Sequence, residues 1–292
     1  MFTSIYPIVC VSMNQVSDLN LALAVAKAGA VPSININIYR ENDVINYAKA
    51  NSDLDAFSSE IGNLNLIYAI KPYDLLDSNC VALVKRVSHC ELVFIPEENV
   101  YSIIRDLKNY GCKFLVKMVG YPNDNNESFV KELYDGVILK GPDTAGRTNA
   151  KIKSIETMLI KYKQLLPDHF LIPCGGIGTA SRVKLMKTFG AGAVGIGTLF
   201  AASAESSVSI ETKQKIIEAK SSDITTLSSD NLPQNSLKFT NWNETDDSNN
   251  TESLKAGIKN PTVGHIFVGR SVDYVNEIKS ANNIVQSLIT EL

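Results

Sequence analysis

Between residue 5 and about residue 220, short apolar runs alternate eight times with segments of helical period. Each run is too short for a helix and is followed by one, so consecutive strands return in the same direction and build a parallel sheet. The expected strands are Pro7–Val11, Ala30–Ile36, Leu66–Ile70, Leu92–Pro96, Lys113–Val119, Gly136–Lys140, Phe170–Cys174 and Ala193–Gly197. The intervening helices are expected over Asp18 to Gly29, about Asp43–Ala50, Asp74–Val87, Glu98–Tyr110, Glu127–Tyr134, Ser154–Leu166, Thr179–Phe189 and about Ser209–Lys220. Asp74 reads as an N-cap, and Gly29 and Gly111 as residues that end helices. Eight units of this kind make an α/β chain whose sheet closes on itself, a (β/α)8 TIM barrel, in preference to an open doubly wound sheet.

The barrel ends near Lys220, and the remaining 221–292 is expected to be a C-terminal extension of one domain spanning 1–292. Ser221–Asn250 is rich in Ser, Thr, Asn and Asp and reads as a polar loop, with Trp242 the one large apolar residue in Asn241–Ser253. That stretch is either a lid or a polar excursion. Its two glycosylation-type triplets, at Asn243 and Asn249, are read as accidental. Asp273–Ile289 has the apolar face of a terminal helix, with Ile278, Ile284, Val285, Leu288 and Ile289 along it.

With 28 basic against 31 acidic residues the net charge is −3, which leaves no basic surplus for a nucleic-acid backbone or an anionic membrane. A small-molecule partner is expected. The opening residues lack a basic and apolar leader, and no apolar run reaches the roughly 20 residues of a membrane helix. Five scattered cysteines without a C-x-x-C spacing are expected to be reduced thiols, and a cytoplasmic location follows. Cys174 reads as a buried thiol at a strand end, and three histidines without metal-ligand spacing point to no protein metal site.

Two glycine clusters stand at the same end of adjacent expected strands. Gly175-Gly176-Ile177-Gly178-Thr179 follows strand seven, and Gly195-Ile196-Gly197-Thr198 closes strand eight. In a barrel this end carries the active site, and the loops after strands seven and eight commonly hold phosphate. Residues without Cβ let backbone N–H groups approach an anion, and Thr198 adds a hydroxyl at a helix start. The alternative is that these glycines serve tight βα turns only.

The stretch Ile172–Phe200, IPCGGIGTASRVKLMKTFGAGAVGIGTLF, resembles the nitronate monooxygenase family, formerly 2-nitropropane dioxygenases, and the related flavin-type enoyl-acyl carrier protein reductases. The opening PIVCVSMNQVS, the segment LALAVAKAG over Leu21–Gly29, the pair Glu205-Ser206, and Gly269-Arg270-Ser271 with the last helix fit the same pattern, so the likeness covers nearly the whole chain. It implies an FMN cofactor, with Gly175, Gly176, Gly195, Ile196, Gly197 and Thr198 at its phosphate and Met13 beside its ring.

Lys140-Gly141-Pro142-Asp143-Thr144-Ala145-Gly146-Arg147 aligns with the family's Gln-Gly-x-Glu-Ala-Gly-Gly-His. Ala145 and Gly146 are expected at the cofactor, and Lys140 replaces the Gln, where a positive charge at the flavin pyrimidine edge stabilises the reduced form, or else it is a snorkelling surface lysine. Arg147 stands where the family has its His. A guanidinium cannot accept a proton, so this position offers an anion fork rather than a base, or else a solvated loop charge. Lys117, in an otherwise apolar strand five, needs a partner or the barrel mouth and is a further flavin-contact candidate. The expected function is an FMN-dependent oxidoreductase acting on a small anionic substrate such as an alkyl nitronate. The alternatives are an NAD(P)H-dependent enoyl or quinone reductase, a flavin-binding barrel without catalysis, and a flavin-free sugar-phosphate barrel. The sequence leaves the oligomeric state open.

Overall fold

In the computed structural model, the described residues are 2–121, 124–149, 151–227, 233–237, 256–262 and 264–292. In chain order the strands are β1 (Ile8–Cys10), β2 (Ser33–Asn35), β3 (Arg40–Glu41), β4 (Val44–Ile45), β5 (Ile67–Ile70), β6 (His89–Leu92), β7 (Lys113–Met118), β8 (Gly136–Lys140), β9 (Gly146–Arg147), β10 (Phe170–Cys174), β11 (Val194–Ile196), β12 (Ile224–Leu227) and β13 (Gln234–Leu237). The helices are α1 (Leu19–Lys27), α2 (Tyr47–Ile61), α3 (Ser78–Val84), α4 (Tyr101–Tyr110), α5 (Asp124–Leu133), α6 (Ile155–Leu165), α7 (Ala180–Thr188), α8 (Thr198–Ala201), α9 (Ile210–Glu218) and α10 (Ala281–Ile289).

Eight parallel strands run in the order β1-β11-β10-β8-β7-β6-β5-β2. The ring closes where Val9 bridges Val31, with Cys10 N donating to Val31 O (2.9 Å) and Val31 N to Ile8 O (2.8 Å). The sheet is therefore the expected (β/α)8 barrel, with helices as its outer layer.

Closure sorts the side chains by strand period. One parity points outward into the main core shared with the helices, where Ile8, Tyr68, Cys90, Phe114, Val137 and Ile196 lie. The other parity fills the barrel, where Val9, Val31, Ile67, Leu115, Ile138, Ile172 and Ala193 form one buried cluster. Phe2 closes the lower end, its ring 4.3 Å from His89 and 5.5 Å from Phe170. The next inward positions up the strands are Glu91, Lys117, Lys140 and Cys174, so the interior turns polar at the mouth.

Several boundaries differ from the sequence expectations. The fourth barrel strand is His89–Leu92 rather than Leu92–Pro96, because Glu91 finds a cationic partner inside the barrel and the polar start of the strand is thereby accommodated. The second helix runs from Tyr47 to Ile61, well beyond Ala50. Ala50, Leu54 and Phe57 continue its buried stripe, and Gly62 ends it at φ 82°. Residues 40–45 form a hairpin through Asn42 and Asp43, both at positive φ. Asp74 does not cap a helix to Val87. It receives Lys71 N (2.9 Å) and Arg40 Nη2 (2.5 Å) in a 3-10 turn, and Asp77 caps α3 instead.

The described parts of the extension carry regular structure where a polar loop is expected. The strands β12 and β13 pair antiparallel, and β13 pairs with β9. Residues 256–259 form one helical turn, a 3-10 turn covers Arg270–Tyr274, and the last helix starts at Ala281, capped by Ser280, rather than at Asp273. Asn241–Ser253, with Trp242, Asn243 and Asn249, lies outside the described residues. The five cysteines are unpaired and buried. Among the described residues no helix is long and apolar enough to cross a membrane.

Gly136 at the start of β8 has no room for a side chain: a Cβ there would lie 2.5 Å from Phe170 O and 2.8 Å from Leu115 Cδ2. Gly136→Ala is expected to lower the unfolding free energy by about 1–3 kcal/mol, read from urea denaturation, the range typical of overpacked interiors. An unchanged midpoint would contradict the packing described.

Candidate functional site

The carboxyl ends of β1, β8, β10 and β11 meet at one side of the mouth. After β10 the chain turns through Gly175 (φ 113°) and Gly176 (φ 68°), a backbone path that side chains resist. A Cβ on Gly175 would lie 2.7 Å from Thr144 Cγ2, so this turn is seated on the loop after β8. The N–H groups of Gly176, Ile177 and Gly178 have no acceptor among the described residues, nor do those of Thr198 and Leu199 at the start of α8. Orphan donors at adjacent strand ends are suited to an anion. Thr198 Oγ1 accepts from Gly269 N at 3.0 Å, which leaves its proton to be donated.

The glycines after β11 are not equivalent. A Cβ on Gly195 would lie 2.6 Å from Val11 Cγ1 and 2.9 Å from Cys174 Cβ, so Gly195 is demanded by packing inside the barrel. Gly197 is looser, with Val11 Cγ2 at 3.3 Å and Met13 Sδ at 3.8 Å from the same virtual atom. This places Met13, at the end of the first strand, beside the β11 turn. Ile196 points its side chain into the outer core and away from the mouth, so only its backbone lies near the site.

The loop after β8 is held from several directions. Lys140 Nζ donates to Ala145 O (2.9 Å), and Gly146 takes φ 60° with open space where its Cβ would be. Asn235 Nδ2 donates to both Pro142 O and Thr144 O at 2.9 Å, and Arg270 N donates to Asp143 O at 2.9 Å. The Asp143 carboxylate, 3.4 Å from the Arg270 guanidinium, is balanced where it faces Gly176. Arg147 is exposed on β9, and its guanidinium has no ion-pair partner among the described residues. It is close enough to Lys140 to disfavour that lysine's charge.

Two lysines enter the barrel from β7 and β8. Lys117 Nζ lies 2.6 Å from Glu91 Oε1 and donates to Ser12 O (3.2 Å) and Ser12 Oγ (2.9 Å). Its three protons are thus spent within the protein. Ser12 Oγ in turn donates to Glu91 Oε1 at 2.6 Å. The Glu91 side chain is 0 % exposed, so removing its partner would strand a buried charge, a loss of about 3–5 kcal/mol. Lys140 is held below its usual value of 10.5, at about 8, by burial and by Lys117, with Arg147 adding to the effect and Cys174 and Glu91 opposing it. Folded chain sheds this proton more readily than unfolded chain. Its charge therefore weighs on stability below about 8, and the burden lifts as pH rises from there toward 10.5. Burial pushes the neighbouring Cys174 thiol up to about 11, so it is a thiol rather than a thiolate at neutral pH.

Glu91 and Ser12 were not singled out in the sequence, although a carboxylate two residues from a histidine in a strand opposite Lys117 carried a signal. Asn235 gave no local sign, since its partners are backbone carbonyls some 90 residues away.

A sequence-family profile described as nitronate monooxygenase matches residues 35–291. No curated protein sequence matches the chain. Among solved structures, FabK from Thermotoga maritima is similar over 99 % of this chain and 93 % of its own, with 21 % identity and a TM-score of 0.81. A nitroalkane oxidase from Streptomyces ansochromogenes is similar over 99 % and 96 %, with 17 % identity and a TM-score of 0.79. The enoyl reductase domain of MlnA from the macrolactin biosynthesis cluster of Bacillus amyloliquefaciens follows over 99 % and 94 %, at 10 % identity and a TM-score of 0.69. At these identities the likeness is one of fold.

Asn235→Ala removes both side-chain bonds to the loop after β8. Faster amide exchange over Thr144–Thr148, read by hydrogen–deuterium exchange, is expected, with a local loss of about 1–2 kcal/mol. Unchanged protection would show the loop to be held by other contacts.

Proposed function

The chain belongs to the nitronate monooxygenase family, and from that premise we propose that it is an FMN-dependent oxidoreductase that oxidises a small anionic substrate, such as an alkyl nitronate. The observation that supports the cofactor is the pair of glycine turns at the adjacent ends of β10 and β11, with N–H groups that have no acceptor among the described residues and the Thr198 hydroxyl beside them. This donor set fits a phosphate. The cationic pole below it fits the electron-rich end of a flavin ring, because positive charge there favours the reduced, anionic form.

FMN would supply the electron acceptor. The protein's part is binding, orientation and charge. Gly176, Ile177, Gly178, Thr198 and Leu199 would hold the phosphate through backbone N–H groups, with the Thr198 hydroxyl as a further donor. Gly175, Gly195 and Gly197 would bring the backbone close, and Met13 would lie against the ring beside Gly197. Lys140 would donate to the ring from its remaining N–H groups, with Ala145 and Gly146 shaping the wall beside it.

Arg147 would gather the anionic substrate at the rim. It is exposed, unpaired among the described residues and permanently charged, and it cannot remove a proton. A substrate that arrives already ionised needs no base at this position, which is why a nitronate suits the site better than a neutral nitroalkane. The second reading is an NAD(P)H-dependent enoyl or quinone reductase. It is supported by the fold likeness to FabK and to the MlnA domain, and by the same guanidinium, which would suit a nicotinamide phosphate.

Purified protein is expected to be yellow, or to acquire flavin absorbance on titration with FMN. A colourless protein that binds none would overturn the proposal. Anaerobic mixing separates the two enzyme readings: bleaching of the bound flavin by a nitronate supports the oxidase, and bleaching by NADH or NADPH alone supports the reductase. Thr198→Val is expected to raise the Kd for FMN about tenfold to a hundredfold, the range for a hydrogen bond to a charged group, while Thr198→Ser stays near the wild type.

A further inference from the structure

We infer that Glu91 is a positioning residue: its buried carboxylate immobilises and neutralises Lys117 at the top of the barrel, so that Lys140 is the lysine left to meet what binds above. The inference rests on the flavin reading only for the identity of that ligand.

Three observations carry it. First, the donors of the two lysines are divided. Lys117 spends its ammonium on Glu91 Oε1 (2.6 Å) and on the carbonyl and hydroxyl of Ser12 (3.2 and 2.9 Å), whereas Lys140 makes one bond among the described residues, to Ala145 O at 2.9 Å. Lys117 is 14 % exposed and tied across the mouth from β7 to β6 and to the end of β1, so it acts through its field rather than by touching a ligand.

Second, Glu91 is held in a way that stability alone does not favour. Its Oε1 accepts from both Lys117 and Ser12, while its Oε2 is buried with no hydrogen-bond partner among the described residues. A half-satisfied carboxylate in a barrel interior is less stable than an apolar side chain of the same size. A carboxylate at this position is explained if the charge itself is needed.

Third, the charges facing Lys140 have one counterweight of opposite sign. On β7 it faces Lys117, on β6 Glu91, on β10 the neutral thiol of Cys174, and on β9 Arg147. Without Glu91 the mouth would hold three cations and no anion among these groups. Lys140 would then lose its proton more readily, and an anion bound beside it would lose its partner near neutral pH.

The test measures Lys140 directly in the full chain, with and without FMN. Competitive acetylation across pH, read by mass spectrometry, gives the half-ionisation point of each lysine and needs no turnover. In the wild type Lys140 is expected to change reactivity near pH 8. Glu91→Gln preserves shape and an acceptor oxygen, so a merely structural Glu91 would leave that point unmoved. The inference expects it to fall by about one unit. Lys117→Met probes the pair from the other side and is expected to raise it by about one unit, which keeps the test open if Glu91→Gln fails to fold. FMN affinity, followed by fluorescence, is expected to weaken as pH rises through the Lys140 point, and at a lower pH in Glu91→Gln than in the wild type. An unmoved Lys140 in both variants overturns the inference. A moved Lys140 in a chain that binds no FMN sustains it and overturns the flavin reading instead.

Discussion

Closure of the sheet between β1 and β2 is the constraint on which the rest depends. Strands with a period of two have two faces, and in an open sheet both would meet helices. Once Val9 and Val31 bridge, one face becomes an enclosed interior with no room for a helix and no access to water except at its ends. Everything charged on that face must then find a partner or reach the mouth. Phe2 plugs the lower end with His89 and Phe170, so Glu91, Lys117 and Lys140 gather at the other.

That enclosure gives the site its electrostatics. Charges that would matter little on a surface act strongly where protein replaces water, which is why the Glu91 carboxylate bears on both Lys117, its partner, and Lys140 on the next strand. The glycine turns offer a different resource. The backbone N–H groups left open by the turns through Gly175 and Gly176 are fixed dipoles of the kind that suit an anion, with no need of long flexible side chains.

The C-terminal extension completes the mouth. Asn235 is bonded to two carbonyls of the loop after β8, Gly269 N to Thr198, and Arg270 N to Asp143. Loops after barrel strands are usually free to vary, and here two, after β8 and after β11, are tied down by the C-terminal extension. The position of Arg147 depends on this, since its strand β9 exists only by pairing with β13.

The sequence by itself determined the eight βα units, the closed barrel and the glycine turns at the carboxyl ends of two adjacent strands. Those follow from local period and from glycines where the backbone must bend through positive φ, and both are written within a few neighbouring residues. It also marked Lys117 and Lys140, because a charge in an apolar run is conspicuous. Only the tertiary structure decided what those charges do. The apolar run Leu92–Ile95 masked the true fourth strand, whose inward Glu91 is stable only because Lys117 lies across from it on β7. A helix stripe or a turn is a property of adjacent residues, whereas an ion pair between strands and a strap from residue 235 to residue 144 arise from closure, which brings distant residues within hydrogen-bond reach.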